Sequence, residues 1–430
     1  MRGGEAMTGH RLERLALFTD TWTPQVNGVA RTLDRLVTEC EARGIETLVV
    51  TVDEADAVPP LPHVERWPAR PFWAYPQLRM TTPSPSRARE VLARFRPTLV
   101  HVATPFGVGL SARQAARALN VPLVSSYHTH FTAYLQHYGL QGLDAVSWPF
   151  LRWFHNGGRR TFAPTRDVAT QLEAQGFEGV RVWGRGVDTA RFAPRHRSAA
   201  FREAIGCTPE TCLVTYVGRL APEKGIDVAM RAMTQLLRAE PGRLRFALVG
   251  DGPAEERLRA LAPEGTVFLG RLEGQALAEA YASADVFLFP STTETFGNVV
   301  LEAMASGVAV VSHATGPTSE FAHAGTALPV DVRAADAIAD AVRALLDDRN
   351  RRAAIAAAGL AAAHERGWSR VWDGLFAEYD AVFVDRPSRT RDEPAVSASA
   401  AGHVATPGDR APAERATAER ASVGRATRVA

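Results

Sequence analysis

Residues 285–315 read DVFLFPSTTETFGNVVLEAMASGVAVVSHAT. Two apolar runs, DVFLFPS (285–291) and VAVVSHAT (308–315), bracket a stretch of good helix formers. Strands that read as continuous apolar runs are covered on both faces, and a helix between two of them predicts a parallel pair. Glu294 follows the first run, Gly297 and Asn298 stand where the helix should begin, and Glu302 lies within it. The free N–H groups and positive dipole end of such a helix make a seat for phosphate. A phosphate there repels two carboxylates, so Glu294 and Glu302 must accept from hydroxyls on either side of it. A nucleotide-sugar has that layout, with the sugar at Glu294 and the ribose at Glu302. The plainer reading is an N-terminal acid near the dipole and an exposed helical glutamate.

The same alternation extends in both directions. Upstream in the second half lie CLVTYVGR (212–219), RFALVGDG (245–252) and TVFLGR (266–271). The first half contributes RLALFTD (14–20), ETLVVTV (46–52), TLVHVAT (98–104), VPLVSSYHT (121–129), TFAPT (161–165) and VRVWGRG (180–186). Ala-, Leu- and Arg-rich helical stretches separate them. Two such sets predict an α/β protein of two doubly wound domains, 12–192 and 193–367, broken within 185–210 where Pro194, basic residues and Pro209 interrupt the pattern. Ligands of open α/β sheets sit beyond the carboxyl ends of the strands, so the two sheets should face one cleft. Trp368, Val371, Trp372, Leu375, Phe376 and Tyr379 recur at helical spacing and require burial. Residues 1–11 and the Leu-, Ile- and aromatic-free tail 387–430 are expected to be disordered.

Composition narrows the function. The chain has 430 residues, 46% hydrophobic and 22% charged, with a net charge of +2 that gives no general affinity for nucleic acid. Three scattered cysteines without a CxxC argue against a disulfide framework or zinc site, and for a reducing compartment. No signal peptide and no membrane-length apolar span are read, so a cytoplasmic protein is expected. Lys224 is the one lysine among 49 basic Lys and Arg residues. It lies in YVGRLAPEKG (216–225) with Arg219, beyond a strand, where two cations suit a diphosphate. A solvated basic loop is the plainer alternative. Gly250 and Gly252 in VGDGP either admit a ligand to the backbone or form a tight turn.

These motifs together resemble the retaining glycosyltransferases of the GT-B fold: the E-x7-E spacing of ETFGNVVLE, the loop GRLAPEKG, the strand end VGDGP, the first loop TDTWTPQVNGVARTL and the segment SSYHTHFTAYLQHYGL. The likeness spans about residues 12–384 and is closest to GDP-mannose-dependent α-mannosyltransferases and sulfoquinovosyl-type lipid glycosyltransferases. It implies two Rossmann-like domains, with 368–385 crossing back to the first. Gly28 would admit the donor diphosphate, and His128 would lie near the transferring sugar. Phe296, Gly297, Asn298 and Val299 would offer backbone donors, and Leu269 and Arg271 would edge the base. Catalysis would rest on His128, Glu294, Arg219 and Lys224. The remaining donor contacts would be Gly250 and Glu302. The implied partners are a nucleotide-sugar donor and a lipid or glycan acceptor. Peripheral contact at the inner face of the membrane would go through the first domain. HATGPTSEF (313–321) departs from the family's more glycine-rich turn.

The chain has no Asp-x-Asp pair, so no metal and no cofactor are expected. DEAD at 53–56 lacks the P-loop a helicase needs, and His128 with His130 lacks a third metal ligand. The aromatics of WPFLRWFHNGGRR (148–160) are either core or membrane-facing. Two other classes fit the architecture: a nucleotide-sugar epimerase, distinguished by product formed without acceptor, and a non-enzymatic solute-binding protein.

Overall fold

A computed structural model describes residues 12–384 except 26–27, 54–60, 73–74 and 129–143. The first sheet uses β1 (Arg14–Phe18), β2 (Glu46–Val52) and β3 (Val64–Trp67), while β4 (Arg70–Phe72) and β5 (Tyr75–Met80) form a separate antiparallel pair. It continues with β6 (Leu99–Val102), β7 (Leu123–Ser126), β8 (Arg160–Ala163) and β9 (Val180–Val182), in the spatial order β3-β2-β1-β6-β7-β8-β9. Every pairing in this sheet is parallel. In β1, Leu15 and Leu17 enter one apolar cluster while Ala16 and Phe18 enter another. The two-residue alternation of a strand thus covers both faces.

The second sheet follows the same logic with β10 (Cys212–Val217), β11 (Leu244–Val249), β12 (Thr266–Gly270), β13 (Val286–Phe289), β14 (Ala309–His313) and β15 (Leu328–Val330). Their order is β12-β11-β10-β13-β14-β15, again all parallel. Helix Ile226–Ala239 buries Ile226, Ala229, Met230, Met233 and Leu236, a 3.6-residue stripe that seals one face. Val187 and Phe192 already belong to this second core. The passage between sheets therefore begins a few residues before position 193. Both sheets lie in one compact unit.

Helix Trp368–Val384 returns to the first sheet, where Trp372, Leu375, Phe376 and Tyr379 pack with Leu15, Leu36 and Trp183. Arg43 pairs with Asp373 at 2.8 Å, and the Tyr379 hydroxyl lies 2.6 Å from His101 Nδ1. The aromatic face read from the sequence is thus buried in the first half.

The eleven strands read from the sequence all occur, with differences at their ends. β3, the β4–β5 hairpin and β15 were not among them. β3 has two charged residues, Glu65 and Arg66, between Val64 and Trp67 and so no alternation, and β15 contains Pro329, which is tolerated because β15 is an edge strand with one neighbour. The 1–11 and 387–430 segments lie outside the described residues. Among the described residues, no helix is long and apolar enough to cross a membrane.

Candidate active site

The second sheet reverses its strand order between β10 and β13, so a crevice opens beyond their carboxyl ends. Three signature loops meet there. Arg219 follows β10, half-buried, its carbonyl accepting from the Tyr216 hydroxyl at 2.9 Å. Lys224 ends the one-turn 3-10 helix Pro222–Lys224, and its Nζ lies 2.5 Å from Glu294 Oε1. Ser291 Oγ donates to the same carboxylate oxygen at 2.9 Å. The sole lysine and the first acid of the pair are therefore direct partners.

Helix Asn298–Ala305 begins after Gly297, whose φ of +89° and packing against Thr318 exclude a side chain. Glu302 lies one turn on and accepts from the Tyr281 hydroxyl at 2.8 Å. Burial raises its carboxyl above the ordinary range. The Tyr281 hydroxyl and the charges of Arg31, Arg191 and Arg35 work against that rise. The first half supplies a matching feature: helix Gly28–Ala42 starts at Gly28, where a Cβ would stand 3.1 Å from Asn298 Nδ2. The Asn298 side chain therefore lies close to the start of the first-half helix.

Other expected donor residues are placed less directly. Leu269 and Arg271 lie at the end of edge strand β12, and Arg271 is exposed and paired with Glu273 at 2.7 Å. Arg31 and Arg191 act on both Glu273 and Glu302, which puts the strand end in the same electrostatic neighbourhood. Gly250 has φ +134°, and a Cβ there would fall 2.0 Å from the Gly218 carbonyl oxygen. Backbone packing between two strand ends accounts for this glycine without a ligand. Phe296 is buried and stacks on Phe321 with centroids 5.0 Å apart, leaving its backbone as the part available for recognition.

Across the cleft, His128 follows β7 and is buried. Arg185 NH2 lies 2.7 Å from its Nδ1, and the Trp183 ring meets it edge-on at 5.5 Å. Burial holds its imidazole well below the ordinary range, with Arg185, His101 and His155 pushing the same way. The His128 carbonyl accepts from Thr295 Oγ1 at 3.0 Å, tying this histidine to the loop that carries Glu294. Asp20, beyond β1, accepts from Thr104 at 2.6 Å, and burial lifts its carboxyl to about 7. His130 lies outside the described residues. Among the described residues, no group of three or more side chains is arranged to hold a metal ion.

Tyr281, Ser291, Thr295 and Arg185 were not singled out from the sequence. Arg185 and Ser291 follow strands, where functional residues of this architecture collect, so position alone pointed to them. Tyr281 gave no such signal, because it reaches Glu302 from a neighbouring helix.

Comparison with known proteins agrees with this geometry. Residues 26–191 match the family model described as Glycosyltransferase Family 4, and residues 211–348 match that of Glycosyl transferases group 1. A GDP-mannose-dependent alpha-mannosyltransferase of Mycolicibacterium smegmatis is 36% identical over 384 residues, covering 87% of this chain and 99% of that protein. The sulfoquinovosyl transferase of Arabidopsis thaliana is 35% identical over 317 residues, 70% of this chain and 60% of that protein. Among solved structures, sucrose-phosphate synthase from Thermosynechococcus elongatus superposes with a TM-score of 0.72 at 20% identity, over 86% of this chain and 99% of that one.

Proposed function

This chain belongs to the glycosyltransferases of group 1 and family 4, and from that premise we propose that it transfers an α-mannosyl group from GDP-mannose to a lipid or glycan acceptor. The observation that carries the donor reading is the Lys224–Glu294 pair just before the helix that starts at Asn298, whose side chain lies close to Gly28 of the first half. A diphosphate at the N-terminus of helix Asn298–Ala305 and beside Arg219 and Lys224 is held by charge that is already in place. The same groups stabilise the leaving diphosphate as the glycosidic bond breaks, which is electrostatic catalysis by preorganised charge. Glu302, oriented by Tyr281, accepts from the ribose hydroxyls, and Glu294 accepts from the sugar. Transfer proceeds with retention at the anomeric carbon. These cations and the lack of any Asp-x-Asp pair support a transfer step that needs no metal.

The mannosyl assignment draws on the Mycolicibacterium smegmatis relative. The Arabidopsis thaliana relative supports a second reading, a UDP-sugar-dependent glycolipid synthase. A lipid acceptor would bring the first half to the inner membrane face, where Trp153 is 47% exposed with the Arg113 guanidinium 4.0 Å from its ring centre.

A thermal-shift panel of GDP-, UDP- and ADP-sugars separates the donors, since a ligand at about 100 times its dissociation constant stabilises the fold by about 2.7 kcal/mol. GDP-mannose should give the largest shift. Product formed with that donor in EDTA, with its anomeric configuration read by NMR, then tests retention and metal independence. A larger shift with a UDP-sugar replaces the first reading with the second. Sugar isomerised without an acceptor removes both.

A further inference from the structure

The pairing of Arg185 with His128 fixes something that neither residue fixes alone. Arg185 is 6% exposed, and its NH1 donates to the carbonyls of Trp183 at 2.8 Å and Gly184 at 3.1 Å. Those two bonds seat the guanidinium so that NH2 meets His128 Nδ1 at 2.7 Å. A guanidinium carries five N–H donors and no acceptor. Nδ1 must therefore present its lone pair, and the single proton of a neutral imidazole must sit on Nε2. An imidazolium would set an N–H of the ring against an N–H of the arginine. His128 Nε2 has no hydrogen-bond partner among the described residues.

We propose that Arg185 is a positioning residue that locks His128 as a neutral Nε2–H tautomer, so that this histidine acts only as a hydrogen-bond donor, to an oxygen of the transferred sugar. His128 then takes no proton at any stage of the reaction. As the bond from the sugar carbon to the diphosphate oxygen breaks and the acceptor oxygen bonds to that carbon, the acceptor's proton passes to the departing diphosphate oxygen, and the positive charge at the sugar carbon meets a neutral ring. The inference rests on the reading that the sugar reaches His128, but the tautomer itself is independent of that reading. The titratable and charged groups acting on the ring are Arg185, His101 on β6 and His155 on helix Asp144–His155; burial keeps the two histidines neutral, and the Arg185 charge disfavours a second positive charge beside it.

The test begins with the wild-type chain. Protein labelled with 15N-histidine, with the His128 signals assigned by difference from His128→Gln, should show Nδ1 unprotonated and Nε2 protonated, unchanged from pH 8 to pH 5. An Nδ1–H tautomer, or titration within that range, overturns the proposal even if every variant fails to fold. Two substitutions extend it to function. Arg185→Met removes the donor; His128 should then titrate or change tautomer, and kcat should gain an acidic limb and fall about tenfold near pH 6. Arg185→Lys keeps a pure donor and should retain both the tautomer and the wild-type pH profile. A wild-type profile in folded Arg185→Met overturns the positioning role. If the tautomer is as stated but no sugar-nucleotide shifts the melting temperature, the donor reading has failed and the tautomer assignment has not.

Discussion

The two walls of the cleft handle charge in opposite ways. On the first wall the histidines are sealed and held neutral around one buried cation, Arg185, which burial lowers only to about 9: burial keeps His101 and His155 uncharged down to about 3, and His128 is held well below its ordinary range. Asp20 is lifted to about 7 by the same cause. On the second wall charge is kept and partly open to solvent. Lys224 and Glu294 pair with 15% and 19% of their side-chain surface exposed, and Arg219 stands half-buried nearby. Ions are costly to bury unless paired, whereas neutral polar groups need only hydrogen bonds. A donor with a charged diphosphate at one end and a neutral sugar between the walls matches that division.

Acid tests the neutral wall most severely. An unfolded histidine titrates near 6.5, while the three buried ones stay neutral below that in the fold. Below pH 6.5 the unfolded chain binds more protons, so stability falls as the pH falls, by up to about 1.4 kcal/mol per pH unit for each histidine. Asp20 acts in the opposite sense, because a carboxyl raised by burial contributes stability that is full below its unfolded value and is lost as the pH rises toward 7. Glu302 and Glu320 are raised by the same cause and act in that direction too. From pH 7 to pH 5 the histidine loss is thus opposed by the raised carboxyls, Asp34 among them, and substitution isolates the histidine share in urea unfolding. His155→Gln should lose less than wild type over that range. Equal pH dependence in His155→Gln and wild type would show that burial does not hold His155 neutral.

On the charged wall, Lys224→Met should lower turnover by on the order of 100-fold, the scale of removing one preorganised electrostatic contact. Lys224→Arg keeps the charge but widens and flattens the head, and should still cost about tenfold. Equal activity in wild type and Lys224→Arg, with folding checked by circular dichroism, would remove the lysine's shape from the mechanism.

The two acids should separate next. Glu302→Ala should weaken GDP binding by about 1.5–3 kcal/mol, the loss of charge-assisted hydrogen bonds. Glu294→Ala should leave GDP affinity nearly unchanged while impairing turnover, although Lys224 then loses its partner. Equal losses of nucleotide affinity in calorimetry would end that division of labour. The smallest effect belongs to the strut between the walls. Thr295→Val removes the bond to the His128 carbonyl and should cost about 1 kcal/mol of stability, read by urea unfolding, with a modest drop in turnover.

By itself the sequence determined the repeating unit and the chemistry of the second wall. Its apolar runs and intervening helices carry enough periodicity to place eleven strands. The E-x7-E spacing sits on a single βαβ unit, so local chain geometry brings Glu294, Gly297 and Glu302 together. The single lysine stood out because every other basic side chain is arginine. Short strands with charged or proline positions escaped, since β3 and β15 gain their structure from the sheet edges they extend rather than from their own pattern. The first wall and the long-range pairings at the site were settled only in three dimensions. Tyr281 reaches Glu302 across 21 residues, Arg185 reaches His128 across 57, and Thr295 reaches the His128 carbonyl across 167. Separations of that length leave no periodicity to read. The first two contacts each close within one half as its strands and helices pack, and the third needs the two halves to meet.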